Sequence, residues 1–446
     1  MIRRATLRAA ILSGCTLLAA CKDDNAPPTP APRASATTVS SAANDTSPLA
    51  TAKRLARAEP GGTAPIDRDI QRLQKQLETR SEIADTWILL GRAWIRKARE
   101  SSDPGFYLNA NACADIARDL APANRAATNL TGLVLLNQHR FDDARDLAEQ
   151  ILSKMPDDPM ALGTLSDALL ETGRYAEATK ITQRMQDLKP NLPSYLRAAH
   201  LEWLRGDTKS AIETMHHAID AGRDPKDPEP RCWALVEAAM IFWHQGDYPG
   251  ADAGFQMALK ECSDYPPALV GRGRVSMASG DYAKAAELFH QAYKTSPLPE
   301  TAWLLGDARS AAGDTKAADE AYALVIKGGK ASDPRTLALF YATKDRDHDE
   351  AVRLAQTEQK IRDDIYTADA LAWSLYRAGK IAEAKASADK ATSLGTKDAR
   401  LLYHAGAIRI AAGDKAAGEK LVKEALALNP KFDWTGASEA AKLTGK

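Results

Sequence analysis

The side chains that could carry chemistry in this 446-residue chain are few and scattered. It has five cysteines (Cys15, Cys21, Cys113, Cys232 and Cys262) and eight histidines. A metal site needs ligands that converge, most simply as Cys-x-x-Cys or as two histidines four apart on a helix. Neither spacing occurs. His216 and His217 are the only adjacent pair, and neighbours on a helix point in different directions. No phosphate-cradling glycine loop, no His-Glu-x-x-His helix and no Gly-x-Ser-x-Gly elbow is present. The expectation is a binding protein: no enzyme, no metal and no cofactor. Lys+Arg and Asp+Glu both number 59, so the formal net charge is zero. Nucleic acid, which usually needs a basic face, is not an expected partner.

The elements that must position any binding residues are announced by glycines. Gly173, Gly206, Gly246, Gly280, Gly313, Gly379 and Gly413 lie 33, 40, 34, 33, 66 and 34 residues apart. The 66 is two periods of 33, and the 40 is one period with an insertion. Five of the seven precede an aspartate: Asp207, Asp247, Asp281, Asp314 and Asp414. Glycine takes the left-handed conformation that closes one helix, and aspartate caps the amides that open the next. A period near 34 with that punctuation marks an all-α solenoid of helical hairpins. No stretch alternates with period two as a strand would.

Each unit repeats one internal order. A first helix, A, brings a large residue and then a leucine beside a small residue. A second helix, B, brings an aromatic near its start and alanines at helical spacing. The unit around Gly280 has Leu269, Gly273, Tyr282, Ala285, Phe289, Ala292 and Pro297. Small residues let the helices approach closely, and aromatics fill the grooves between units. The pattern resembles the tetratricopeptide repeat family. Trp87, Leu90 and Gly91 match its W-x-x-L-G opening, and Gly173-Arg174-Tyr175-Ala176-Glu177-Ala178 matches its central turn. The resemblance implies a right-handed superhelix of about ten hairpins between Ile83 and Lys431. The stretch from Asp224 to Pro230 is an insertion too rich in proline to be helical. The unit at Lys344 to Ala351 lacks its turn glycine.

The N-terminus is a separate object. Arg3, Arg4 and Arg8 precede an apolar run, Ala9 to Ala20, too short to span a bilayer. It reads as a signal peptide over residues 1–20. Leu18-Ala19-Ala20-Cys21 resembles the bacterial lipobox, which implies cleavage before Cys21 and acylation of its thiol. Lys22 in place of an aspartate suggests, by analogy with enterobacterial lipoproteins, the outer rather than the inner membrane. Residues 21–66 are rich in Pro, Ala, Ser and Thr and read as a disordered tether with a reach of about 35–40 Å. The solenoid is assigned to 67–431 and a capping tail to 432–446.

An exported chain meets an oxidising compartment. Cys232 should start a helix A and Cys262 should follow helix B of the same hairpin, so the two can form a disulfide; the alternative is isolated buried thiols. In the resembled family helix A lines the concave face. Counting from each turn places Arg197, Trp203, Trp233, Met240, Trp243 and His244 inward, as a groove. Trp303 follows, and then a second groove with Tyr366, Asp369, Trp373, Tyr376, Arg377 and Tyr403. Aromatic residues and arginine are the usual anchors of protein interfaces. The expected function is a membrane-anchored envelope scaffold that binds proteins through this face. The alternative is a periplasmic receptor for a peptide, glycan or small molecule.

Overall fold

A computed structural model of the chain describes residues 47–445, and all regular structure among them is helical. The signal peptide, Cys21 and the first part of the tether lie outside the described residues. Two leading helices, α1 (Pro48–Ala56) and α2 (Pro65–Gln76), come first. Ten hairpins follow. Units 1 to 3 are α3 (Ala84–Ser101) with α4 (Tyr107–Leu120), α5 (Arg125–Asn137) with α6 (Phe141–Lys154), and α7 (Pro159–Glu171) with α8 (Tyr175–Leu188). Units 4 to 6 are α9 (Leu192–Leu204) with α10 (Thr208–Ala221), α11 (Glu229–His244) with α12 (Tyr248–Glu261), and α13 (Pro266–Ala278) with α14 (Tyr282–Thr295). Units 7 and 8 are α15 (Pro299–Ala311) with α16 (Thr315–Ser332) and α17 (Pro334–Thr343) with α18 (His348–Gln359). Units 9 and 10 are α19 (Ile365–Arg377) with α20 (Ile381–Ala391) and α21 (Ala399–Ala411) with α22 (Lys415–Leu428). A final helix, α23 (Gly436–Leu443), packs on α21 and α22.

All seven turn glycines sit at positive φ, between 72° and 88°. The following aspartates Asp207, Asp247, Asp281 and Asp314 each accept the backbone N–H three residues on. Asp414 makes no such cap and faces Arg409 at 3.6 Å. Where the glycine is missing, another residue takes its place. His139 (φ 56°) turns unit 2, and Asp345 (φ 54°) turns unit 8. Asn, Asp and His tolerate the left-handed region better than other side chains, so these turns close without glycine.

The tether is shorter than its composition suggests. Pro48–Ala56 is helical and packs on α4, so the expected boundary at residue 66 is corrected to residue 47 at the latest. The Ser47 hydroxyl caps the helix by accepting from the Ala50 amide, and Pro48 opens it. Trp94 donates to the Ala56 carbonyl at 3.0 Å, and Asn109 to that of Leu55 at 2.7 Å. Alanines, which read as low-complexity linker, serve here as small faces for close packing. A structured segment also reaches across Asp67, which is buried and paired with Lys97.

The decisive tertiary feature is that the superhelix touches itself. Asp363 N–H donates to the Glu171 carbonyl at 3.1 Å, and the Tyr175 hydroxyl accepts from the Ile365 amide at 2.8 Å. Thr396 donates to the Leu204 carbonyl. Asn429 donates to the Trp243 carbonyl and accepts from Tyr248, each at 2.8 Å. Ser296 donates to the Ser102 carbonyl at 2.6 Å. These pairs follow one rule: the A–B turn of a unit rests on the loop six units further along. Units 1, 3 and 4 thus meet the loops that open units 7, 9 and 10, and unit 5 meets the tail. Six units complete one turn of the superhelix, and consecutive turns are in contact.

Candidate functional site

Each sequence-assigned binding residue can now be placed. Arg197 is 1% exposed and forks onto Asp167 of the preceding unit at 2.7 and 2.6 Å. Burial pushes the Asp167 carboxyl up to about 6 despite Arg197. Trp203, Trp233, Met240 and Trp243 are all buried. Trp203 packs on His244 with ring centroids 5.0 Å apart and on Tyr366 across the bore at 6.4 Å. In units 9 and 10, Trp373 is 2% exposed and stacks on His404 at 4.0 Å and 11°. His404 in turn meets Asp369 at 2.9 Å. Tyr403 packs on Phe432 and hydrogen-bonds Glu439 of α23 at 2.7 Å. Arg377 pairs with Asp345 of unit 8 at 2.9 Å, and Tyr376 lies against Trp373.

Most of the assigned residues are therefore packed rather than exposed. A partner cannot reach Arg197, Trp203, Trp233, Asp369, Trp373 or Tyr403 while the packing stands, and the groove expected over Tyr366 to His404 is a packed layer. The reason is the pitch. With six units per turn and the turns in contact, the helix A faces meet one another across a narrow bore. Aromatics that would line an open groove become its core.

One part of the bore stays open. A cavity of about 130 Å³ is lined by Met240, Trp243 and His244 of α11, Arg274 and Met277 of α13, and Glu300, Trp303, Leu304 and Asp307 of α15. Tyr366, Asp398 and Arg400 close it from units 9 and 10, and Lys431 to Trp434 from the tail. Thus Met240, Trp243, His244, Trp303 and Tyr366 are brought together, and the other assigned residues are not. The sequence reading missed Arg400, Phe432 and Trp434 as contributors. The signal available was the pair of aromatics in a tail otherwise read as a cap; Trp434 is 40% exposed, unusual for a tryptophan with only a capping role.

The wall is strongly polar for a cavity of this size. Arg274 pairs with Glu300 at 2.6 Å, and Lys344 reaches Asp307 at 2.6 Å. Burial lowers the His244 imidazole pKa, against the pull of Asp398 at 3.7 Å. Burial also opposes ionisation of Asp398, but its carboxyl still lies below the usual range. That depression comes from the charges of His244 and Arg400 and from the amides of Leu401 and Arg400. Among the described residues no group of three or more His, Cys, Asp or Glu is placed to hold a metal ion.

A second concavity lies at the loop edge of units 3 to 5, where Met160, Met185, Leu188 and Leu192 face the insertion at Arg223 to Asp227. Nearby, Cys232 and Cys262 are joined in a disulfide across unit 5, while Cys113 is a buried free thiol. Among the described residues no helix is long and apolar enough to cross a membrane.

Comparison with known proteins agrees with this architecture. Tetratricopeptide repeat models match residues 135–201 and, in a second model, residues 95–158 and 270–334. The matched stretches are tetratricopeptide repeats. Among curated proteins it resembles the cellulose synthase operon protein C of Pseudomonas fluorescens (strain SBW25), 26% identical over 205 residues. That match takes in 44% of this chain but only 16% of the relative's length. Among solved structures, the type IV pilus biogenesis factor PilW is 18% identical, with a TM-score of 0.38, over 48% of this chain and 98% of its own. A human IFIT1 dimer with PPP-AAAA is 14% identical, with a TM-score of 0.45, over 85% of this chain and 93% of its own.

Proposed function

We propose that this protein is a lipid-anchored scaffold of the bacterial cell envelope, in the outer rather than the inner membrane, and that it acts by binding and not by catalysis. Tetratricopeptide repeats are protein-interaction modules; their models match three stretches of this chain, and ten helical hairpins occupy most of the described residues. The arginines and apolar run before Cys21 support export, and the Leu18-Ala19-Ala20-Cys21 sequence supports acylation at that cysteine.

The observation that carries the binding reading is the cavity at the bore. There Trp303 and Arg274, an aromatic and an arginine of helix A, remain partly accessible beside the exposed Trp434. Interface anchors are enriched in these residue types. A partner would seat an anchoring side chain here and spread over the tail and the mouth formed by units 5 to 7. A second reading, a receptor for a small ligand, is favoured by the size of the cavity, which at about 130 Å³ holds one side chain or one ring.

A photo-crosslinking residue at 434 tests the first reading, with one at Met257, an exposed position on α12, as control. Capture of the same protein from 434 and not from 257, lost in Trp303→Ala, is the expected result. Equal capture from both positions sinks the site assignment. For the anchor, labelling with radioactive palmitate should be lost in Cys21→Ser; retained label removes that part of the proposal.

A further inference from the structure

We infer that the cavity receives an uncharged aromatic side chain from a polypeptide partner. The inference rests on the reading of the cavity as the binding site, and it names what that site holds. It comes from two features of the wall: the rings that remain accessible, and the way the charges are matched.

Three accessible rings line the cavity. Trp303 and Phe432 are half-buried, and Trp434 is exposed. Each is held by a second ring outside the lining. Trp303 meets Phe340 edge-to-face at 5.5 Å, and Trp434 meets Tyr282 edge-to-face at 5.1 Å. Phe432 packs on Tyr403 at 5.6 Å. These second contacts set the three rings before anything binds, which lowers the ordering cost of a ligand. Met277 and Leu304, also half-buried, add to the apolar lining.

The charges of the wall are matched among themselves. Glu300 accepts from Arg274, and Asp307 from Lys344 and Tyr322. Arg400 faces Asp369, 3.9 Å away, and Asp398. Asp398 also caps α21 through the amides of Arg400 and Leu401, and Asp433 accepts from those of Thr435 and Gly436. Lys431 is exposed to water. An ion of either sign that entered would have to displace a member of one of these pairs, and a buried charge that loses its partner is costly. A neutral group breaks none of them.

Size and ring contacts then narrow the neutral group. A volume of about 130 Å³ admits one ring. An aliphatic side chain fits as well, but it forgoes ring-on-ring contact, worth roughly 2- to 10-fold in affinity. Trp434, 40% exposed, carries the apolar surface out of the cavity onto the tail. A residue next to the inserted ring on a partner chain covers that surface; a free ring leaves it bare.

Isothermal titration of the purified full-length chain tests this. The probes are the capped peptides acetyl-Ser-Gly-X-Gly-Ser-amide, with X as Phe, Leu, Lys or Glu, and N-acetyl-phenylalaninamide. The Phe peptide is expected to bind at least tenfold more tightly than the Lys and Glu peptides, and severalfold more tightly than the Leu peptide. Trp434→Leu should remove the margin of Phe over Leu. Lys431→Gln should leave all four affinities unchanged, and neither variant should move the melting temperature. A Lys or Glu peptide that matches the Phe peptide, no margin of Phe over Leu, or no binding of the Phe peptide overturns the inference. N-acetyl-phenylalaninamide binding as tightly as the Phe peptide overturns the polypeptide source and marks a small aromatic molecule instead. If the Phe peptide fails while Trp303→Ala still abolishes partner capture, the binding-site reading survives and only the ring is lost.

Discussion

The contact between successive superhelical turns can be tested at a single atom. Gly206 and Gly280 are both turn glycines, at φ 75° and 79°. A Cβ added at Gly206 would stand 2.4 Å from the Gly395 carbonyl oxygen and 3.3 Å from its carbon, both backbone atoms of the loop six units on. A Cβ at Gly280 would meet nothing within 4 Å. Alanine at either position bears the left-handed strain of roughly 1–2 kcal/mol. Only Gly206→Ala must also push the facing loop away, which costs about 1–3 kcal/mol more by the usual scale of overpacking. It should also break the Thr396 bond to the Leu204 carbonyl. The difference between the two variants isolates the seam from the turn. At about 1.4 kcal/mol per tenfold, the extra cost opens the seam roughly 5- to 150-fold more often. Hydrogen exchange followed by mass spectrometry should show that acceleration in peptides covering 392–398 and 203–208 for Gly206→Ala, and not for Gly280→Ala. Equal exchange in the two variants would refute the contact and the six-unit period with it.

Further outcomes follow from buried groups. Burial raises the Glu237 carboxyl to about 8 from 4.5, so the folded chain holds an extra proton between those values and stability falls as pH rises through that window. At about 1.4 kcal/mol per pH unit this amounts to at most ~5 kcal/mol, and Glu237→Gln should flatten the loss in melts between pH 5 and 8; an unchanged slope rejects it. Burial likewise raises Glu171 to about 8, so it is largely protonated at pH 7 beside Arg362, 2.9 Å away. Glu171→Gln should then cost under about 1 kcal/mol, whereas Arg362→Met leaves buried acids without their cation and should cost about 3–5 kcal/mol in urea denaturation. Trp373→Ala should cost about 3–5 kcal/mol and melt units 9 and 10, a loss visible by circular dichroism before any binding assay. The Cys232–Cys262 bond closes a loop of 30 residues, so reduction should cost about 3.5 kcal/mol. Alkylation in denaturant should label one thiol among residues 47–445 before reduction and three after.

Much of this architecture was legible because it is written locally. A glycine at positive φ and an aspartate cap are properties of a few consecutive residues, and the ten hairpins follow from them. The same locality explains what was missed inside the repeats. His139 and Asp345 take over the glycine's conformation, and a search for glycine passes over both. Alanines at 50, 52 and 56 carry little apolar area, so α1 looked like tether until its docking partner α4 was in view. The binding face fared worst. Among the helix A positions assigned to the concave face, Trp203, Trp373 and Tyr403 turned out to be core. Whether an inward residue is exposed depends on superhelical pitch. Pitch is set by contacts such as Tyr175 to Ile365, 190 residues apart, which no single repeat records.

That pitch also constrains how the protein can work. An open solenoid can stretch and twist to admit a long segment along its inner wall. Here each turn is tied to the next by the backbone bond from Asp363 to Glu171, by the Tyr175, Thr396 and Asn429 side chains on the Ile365 amide and the Leu204 and Trp243 carbonyls, and by the buried contact of Arg362 with Glu171. Admitting a helix or strand would mean breaking several of these together, and each buried polar group left unpaired costs about 1–3 kcal/mol. A single side chain in the cavity breaks none of them. The fold therefore favours a partner that inserts one residue at the mouth, beside Trp303 and Trp434, over one that threads the bore.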